Sequence, residues 1–214
     1  MFWQEEREED KPYQVPDDIL DINYRITART LPLDHAHALS SALLEALPWL
    51  AEEDAAGIHL IHGAESGNGW HRPEDVTNAL LHLSKRARMT LRIPKQRRQD
   101  AEALGESSEK KLTVLPTLFC RYVKTEPGLS EERFLEWAAG EIRALDIPVR
   151  KLMAGRSHAF RTPAGTLHTR SLMIADLEPE QAVRLQEQGI GEGRKIGCGL
   201  FIPHKGINAV KDTN

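Results

Sequence analysis

The chain has 214 residues, with 28 Lys and Arg against 32 Asp and Glu and 40% hydrophobic residues. That length suits one large domain or two of about 100 residues with apolar cores of their own, and the net charge of -4 taken alone argues against a nucleic-acid partner. The distribution reverses that reading: residues 1 to 84 carry 16 acids and 5 bases, while residues 85 to 214 carry 23 bases and 16 acids, so a basic surface is available in the second part. There is no run near the roughly 20 apolar residues of a membrane span and no basic targeting signal, so a cytoplasmic protein with no membrane partner is expected.

Residues 1 to 18 are polar, with Pro12 and Pro16, and read as a flexible leader. Leu20, Ile22, Tyr24 and Ile26 then alternate with polar residues, the period of a half-buried strand. Asp34 is a candidate N-cap for a helix whose apolar positions are Leu39, Ala42, Leu43, Ala46 and Leu50. Gly57 to Ile61 reads as a strand and residues 63 to 75 as a loop. Ala79–Leu83 and Ala87–Ile93 read as one bent strand or a hairpin, Pro94 to Leu104 as a short helix and Lys111–Leu115 as a closing strand.

The second part repeats this order. Thr117–Lys124 is strand-like, with Leu118, Cys120 and Tyr122 on one face and Phe119, Arg121 and Val123 on the other. A helix follows from Ser130, with Phe134, Leu135, Ala138, Ile142 and Leu145 inward. Val149–Met153 and Leu167–Ala175 are strands joined by a basic hairpin with Arg156, His158 and Arg161; Glu178–Gln188 is a helix and Gly197–Ile202 a last strand. The fold class is therefore α+β, two tandem ferredoxin-like domains of order β-α-β-β-α-β, at residues 19–116 and 117–214. Cys120 and Cys198 are far apart and read as small apolar residues rather than a disulfide or a thiolate metal site.

Residues 189 to 199 hold five glycines and the adjacent bases Arg194 and Lys195. The spacing fits neither a P-loop nor a dinucleotide fingerprint, so no nucleotide cofactor is indicated. Backbone N–H groups in such a loop, Gly191 and Gly193 included, can approach phosphate oxygens closely, with Arg194 and Lys195 assisting. A helix C-cap at Gly189 followed by a turn is the plainer alternative. The bases Lys85, Arg86, Arg88, Arg92, Lys95, Arg97 and Arg98 fall within fourteen residues that contain no acid. Arg86, Arg88 and Arg92 at alternate positions would share a sheet face, and phosphate is the expected partner for them. His158 stands between Arg156 and Arg161 in the basic hairpin, where a polyanion would pass. The RNP1 pattern is absent and aromatics are only 6%, so base stacking on a sheet in the manner of an RNA-recognition motif is not the expected mode, and contact through phosphate is favoured.

Gly189-Ile190-Gly191-Glu192-Gly193-Arg194-Lys195-Ile196-Gly197-Cys198-Gly199-Leu200-Phe201-Ile202-Pro203 resembles the glycine-rich loop of CRISPR-associated repeat-processing endoribonucleases of the RAMP superfamily. Leu31-Pro32-Leu33-Asp34-His35-Ala36-His37-Ala38-Leu39, Gly57-Ile58-His59 and Leu91-Arg92-Ile93-Pro94 are similar to segments of its myxobacterial-type branch. The resemblance implies tandem ferredoxin-like domains, metal-independent cleavage of CRISPR repeat RNA and retention of the product crRNA. Partners would be the repeat stem-loop, mature crRNA and other Cas subunits of an effector complex.

Cleavage by 2′-OH attack needs a base, and histidine suits it because its unperturbed pKa lies near neutrality. His35 and His37 are the candidates. Two positions apart on a helix they diverge by about 200°, so both cannot face one site; the match to the family's Asp-His favours His35, with His37 the alternative. Two other readings stay open, a non-catalytic crRNA-binding subunit on the same fold and a metal hydrolase using His59, His62 and His71. The metal reading is the weaker, because residues three apart on a strand point to opposite faces; no metal and no cofactor are expected.

Overall fold

The computed structural model describes residues 13–62 and 79–205; the loop at 63–75, His71 and the leader before residue 13 lie outside the described residues. The alternation beginning at Leu20 forms strand β1 (Ile19–Arg25), which buries Leu20, Ile22 and Tyr24. Strand β2 (Thr30–Pro32), helix α1 (Ala36–Ala46), strands β3 (Gly57–His59), β4 (Leu80–His82) and β5 (Arg88–Pro94), helix α2 (Arg98–Ala101) and strand β6 (Ser107–Lys111) follow. Four of these strands make an antiparallel sheet in the order β3-β5-β1-β6, and β2 pairs with β4 as a separate ribbon. Leu43 of α1, with Leu47 and Leu50 after it, packs on Ile22, Ile58, Leu91 and Ile93. Each such side chain, fully buried, contributes about 1.5–3 kcal/mol.

The second sheet is built from β7 (Leu118–Lys124), β8 (Lys151–Thr162), β9 (Gly165–Ala175) and β10 (Phe201–Pro203) in the order β10-β7-β9-β8, again antiparallel. Helices α3 (Glu131–Ala144) and α4 (Pro179–Gln188) cover one face. Ser130 caps α3 by accepting from the Arg133 N–H at 3.3 Å, and Glu178 forms a reciprocal box with Gln181 at the start of α4. Phe134, Ala138 and Ile142 of α3 meet Ala182 and Leu185 of α4 over Leu118, Leu172 and Ile174. Each sheet orders its strands fourth, first, third, second, so the protein has two tandem ferredoxin-like units of α+β class. Among the described residues no helix is long and apolar enough to cross a membrane.

Several elements differ from the sequence expectation for identifiable reasons. Ala79–Leu83 and Ala87–Ile93 enter two different sheets rather than one hairpin. The closing strand of the first unit is Ser107–Lys111, not Lys111–Leu115; it is exposed throughout and carries no apolar signature. The residues expected as a hairpin between β8 and β9 are themselves strand, because pairing runs out to Thr162 and Gly165. The last strand shrinks to Phe201–Pro203, since Gly197 and Gly199 adopt φ of 89° and 71°, which extended backbone excludes. The N-cap position of α1 falls on His35, while Asp34 uses its Oδ2 to accept from the Arg161 N–H at 2.9 Å. Cys120 and Cys198 are buried free thiols, and burial pushes each up to about 12.

Candidate functional site

The two units meet along a small core of their own, Ala36, Leu60 and Phe160, with Leu39, Tyr122, Leu167 and Ile196 against it. This seam sets the start of α1 beside β8. The Asp34 bond to the Arg161 backbone closes one side of it, and on the other the His35 ring is held between the Pro32 carbonyl, 3.0 Å from Nδ1, and the Ile61 N–H, 3.2 Å from Nε2. Donating from Nδ1 and accepting at Nε2, His35 is buried with both ring nitrogens committed to backbone. A nitrogen already accepting an N–H is a poorer proton acceptor than one left open. His37, two residues on, is half-buried on the flank of α1.

Around the seam, Tyr122 stacks with His62 at 6.0 Å and meets His158 and Phe160 edge-on at 5.5 and 4.8 Å. Tyr122 was not expected at a site, and His62 only in the metal reading. A β-bulge between Cys120 and Val123 explains the first: it breaks the alternation, sends Val123 into the core, and leaves Arg121 and Tyr122 facing outward in succession. No residue pattern in a seven-residue strand announces such a bulge.

Between the open faces of the two sheets lies a cleft of about 370 Å³ lined by Asp21, His59, His62, Arg86, Arg88, Lys110, Arg121 and Tyr122. Burial, reinforced by the Arg92 charge, holds His59 down to about 4, and burial with the Arg121 charge holds His62 well below the usual imidazole range. Both rings are therefore neutral at pH 7. In the unfolded chain they would take up protons near pH 6.5, whereas the fold resists it, so stability is expected to fall as pH drops from about 6.5 toward 4. Urea midpoints at pH 7 and pH 5 measure this, and His59→Gln should flatten the difference.

The cationic residues singled out in the sequence divide into three groups. Arg86 and Arg88 line the cleft, and Arg156, His158 and Arg161 stand along β8. Lys95 pairs with Asp17, Arg97 with Asp100 and Glu53, and Arg98 with Glu102 and Glu109. These are surface pairs, worth about 0–1 kcal/mol and open to exchange for phosphate. Arg92, Arg194 and Lys195 face inward, contrary to expectation. Arg92, at 0% exposure, donates to both Asp21 oxygens at 2.8 and 3.0 Å and to the Gln186 and Phe201 carbonyls at 2.9 Å each. Its partner is a carboxylate and not phosphate, and it ties the first sheet to the second unit. Burial raises the Asp21 carboxyl, but the Arg92 charge and hydrogen bonds outweigh burial and hold it below the usual range.

Arg194 donates to the carbonyls of Ala55, Glu187 and Gln188, and Lys195 to those of Glu53 and Ala56. Cations at the end of α4 satisfy carbonyls that have no helical partner. Burial, with the Arg92 charge, holds Arg194 down to about 10. The glycine loop is thus a junction between the units. At Gly199 a side chain would place its Cβ 2.3 Å from the Ile190 carbonyl oxygen. Gly191 and Gly193 stay accessible, Gly191 beside Trp137. Among the described residues no three His, Cys, Asp or Glu side chains are grouped to hold a metal ion.

A tandem ferredoxin-like protein with a histidine-bearing seam and a basic cleft is the class these features define. A family model described as Cas6 Crispr matches residues 20–206, and the chain belongs to the Cas6 family. It is similar to the CRISPR-associated endonuclease Cas6 of Myxococcus xanthus (strain DK1622), 30% identical over 191 residues covering 86% of this chain and 81% of the relative. Its fold is similar to a CRISPR endoribonuclease Cse3 bound to a 19-nucleotide RNA, with a TM-score of 0.51, 10% identity, and coverage of 86% of this chain and 96% of that one. A CRISPR-associated protein Cas6 gives a TM-score of 0.50 at 12% identity, covering 87% and 98% respectively. At such identities the structural likeness concerns the fold.

Proposed function

We propose that this Cas6-family endoribonuclease cuts CRISPR repeat RNA in its precursor transcript without a metal ion and keeps the mature crRNA bound, with residues 19–116 and 117–214 as its domains. A base takes the proton of the 2′-OH at the cut as the 2′-oxygen bonds to the adjacent phosphorus. The bond from phosphorus to the 5′-oxygen breaks and that oxygen gains a proton, leaving a 2′,3′-cyclic phosphate and a 5′-OH. His37 is the general base; His35 is a positioning residue that fixes the first turn of α1.

The observation that carries this reading is the seam itself. Asp34 and His35 pin the start of α1 against β8 and the chain at Ile61. His37 therefore projects from a fixed turn beside the strand that bears Arg156, His158 and Arg161, where cations can meet phosphate. Incubating the protein with labelled repeat RNA in EDTA tests it. Cleavage leaving a 2′,3′-cyclic phosphate is expected. Tight binding of intact RNA would instead mark a non-catalytic crRNA-binding subunit, and cleavage that EDTA abolishes would overturn the metal-free mechanism.

A further inference from the structure

The helix-free face of the second sheet carries an apolar row that runs across all four strands. Met153 on β8 is opposite Met173 on β9, Met173 is opposite Phe119 on β7, and Phe119 is opposite Ile202 on β10. Their neighbours Leu118, Cys120, Leu172, Ile174 and Phe201 point the other way into the core. Met153 is 52% exposed and Phe119, Met173 and Ile202 are half-buried, so the row is a surface rather than a second core.

Phe119 has polar company on both sides. The His204 ring lies 5.7 Å from it, tilted by 55°, and the Arg121 guanidinium lies 5.8 Å from its centroid. Arg121 Nε and His204 Nδ1 are both shielded and have no hydrogen-bond partner among the described residues. A shielded guanidinium nitrogen and a shielded imidazole nitrogen without partners, one on each side of an aromatic ring, are costly for the protein alone. A groove of about 820 Å³ continues the face past His204, lined by Arg150, Lys151 and Lys205, with Arg150 paired to Glu178 and Lys151 to Asp176 at its surface.

We propose that this face binds single-stranded RNA, one unpaired base stacking on Phe119 and His204 while the backbone phosphate meets Arg121. Aromatic rings beside cations suit unpaired nucleotides, because every base offers a π-face and every nucleotide a charge. The stem of a hairpin cannot use the site, since its bases are already stacked. The proposal deepens the reading of the protein as a repeat-RNA enzyme by assigning it a place for the unpaired part of that RNA, apart from the turn that carries His37.

The probe is a fluorescein-labelled ten-nucleotide oligouridine, with a bare RNA hairpin lacking unpaired flanks as comparison, each titrated by anisotropy at several salt concentrations. Phe119→Ala is expected to weaken oligouridine binding by about 10-fold or more and to leave the hairpin nearly unchanged. Phe119→Leu keeps apolar bulk without the ring and should weaken it similarly, which separates stacking from loss of packing. Arg121→Gln should make oligouridine binding less salt-dependent, by a slope of about 0.7 for one phosphate. Equal loss on both RNAs, unchanged oligouridine affinity in Phe119→Ala, or no binding of oligouridine by the wild type would each overturn the assignment; the last would leave the face as a protein contact. Absence of repeat cleavage sinks the processing reading and leaves the oligouridine result standing, so the two failures are distinct.

Discussion

Replacing His37 by alanine is expected to slow cleavage of repeat RNA by about 10²–10⁴-fold, the range over which a positioned general base acts, with RNA affinity and melting temperature nearly unchanged. His37 is half-buried at the second residue of α1, outside the buried set of that helix, Ala36, Ser40 and Leu43. His35→Ala should behave differently. It deprives the Pro32 carbonyl and the buried Ile61 N–H of their partner, at about 1–3 kcal/mol for each group left unsatisfied. Its loss of activity should therefore accompany a lower urea midpoint. Added imidazole should restore part of the rate to His37→Ala and none to His35→Ala. Full activity in His37→Ala would remove that residue from the mechanism, and imidazole rescue of His35→Ala would return the base to His35.

Arg92→Ala should be the most damaging single substitution at the junction, with an expected loss of about 3–5 kcal/mol of unfolding free energy. Four hydrogen bonds end on this side chain, two on the Asp21 carboxylate and two on carbonyls of the second unit. Truncation strands a carboxylate that is only 13% exposed. Against a total stability of roughly 5–15 kcal/mol for a folded protein, that loss is a large fraction. Arg92→Lys should recover only part, because an ammonium cannot reproduce the bidentate fork. Asp21→Asn tests the pair from the other side: it removes the charge that Arg92 neutralises and should also be destabilising. Urea unfolding measures all three, and a change below about 1 kcal/mol in Arg92→Ala would show that the junction is held by the apolar seam of Ala36, Leu60 and Phe160.

Much of the architecture is legible in local pattern. The period of two at Leu20 to Tyr24 and the helical spacing at Phe134 to Ile142 are direct readouts of which face is buried. The order of elements, repeated, leads to the tandem ferredoxin-like fold. What failed locally had no local cause. Ser107–Lys111 is a strand of wholly exposed residues, held by pairing with β1 rather than by any apolar alternation. Tyr122 changes faces because of a bulge, and β8 runs on past an irregularity at Arg156 because β9 pairs with it again from Ser157 and His158 to Thr162.

The candidate site divides along the same line. The glycine loop and the Asp34-His35-Ala36-His37 segment were found in the sequence, and both lie at the junction of the two units. The roles of their charged side chains were not legible. An arginine in sequence is equally an RNA contact and a buried tie, and only the proximity of Asp21, Gln186 and Phe201 to Arg92, and of Ala55 and Glu187 to Arg194, decides between them. By itself the sequence determined the two-unit α+β fold, the family resemblance and an uneven charge whose basic part lies after residue 84. The tertiary structure decided which cations remain outward and how the His35 ring is held, because both depend on backbone groups and carboxylates that lie up to 142 positions away along the chain.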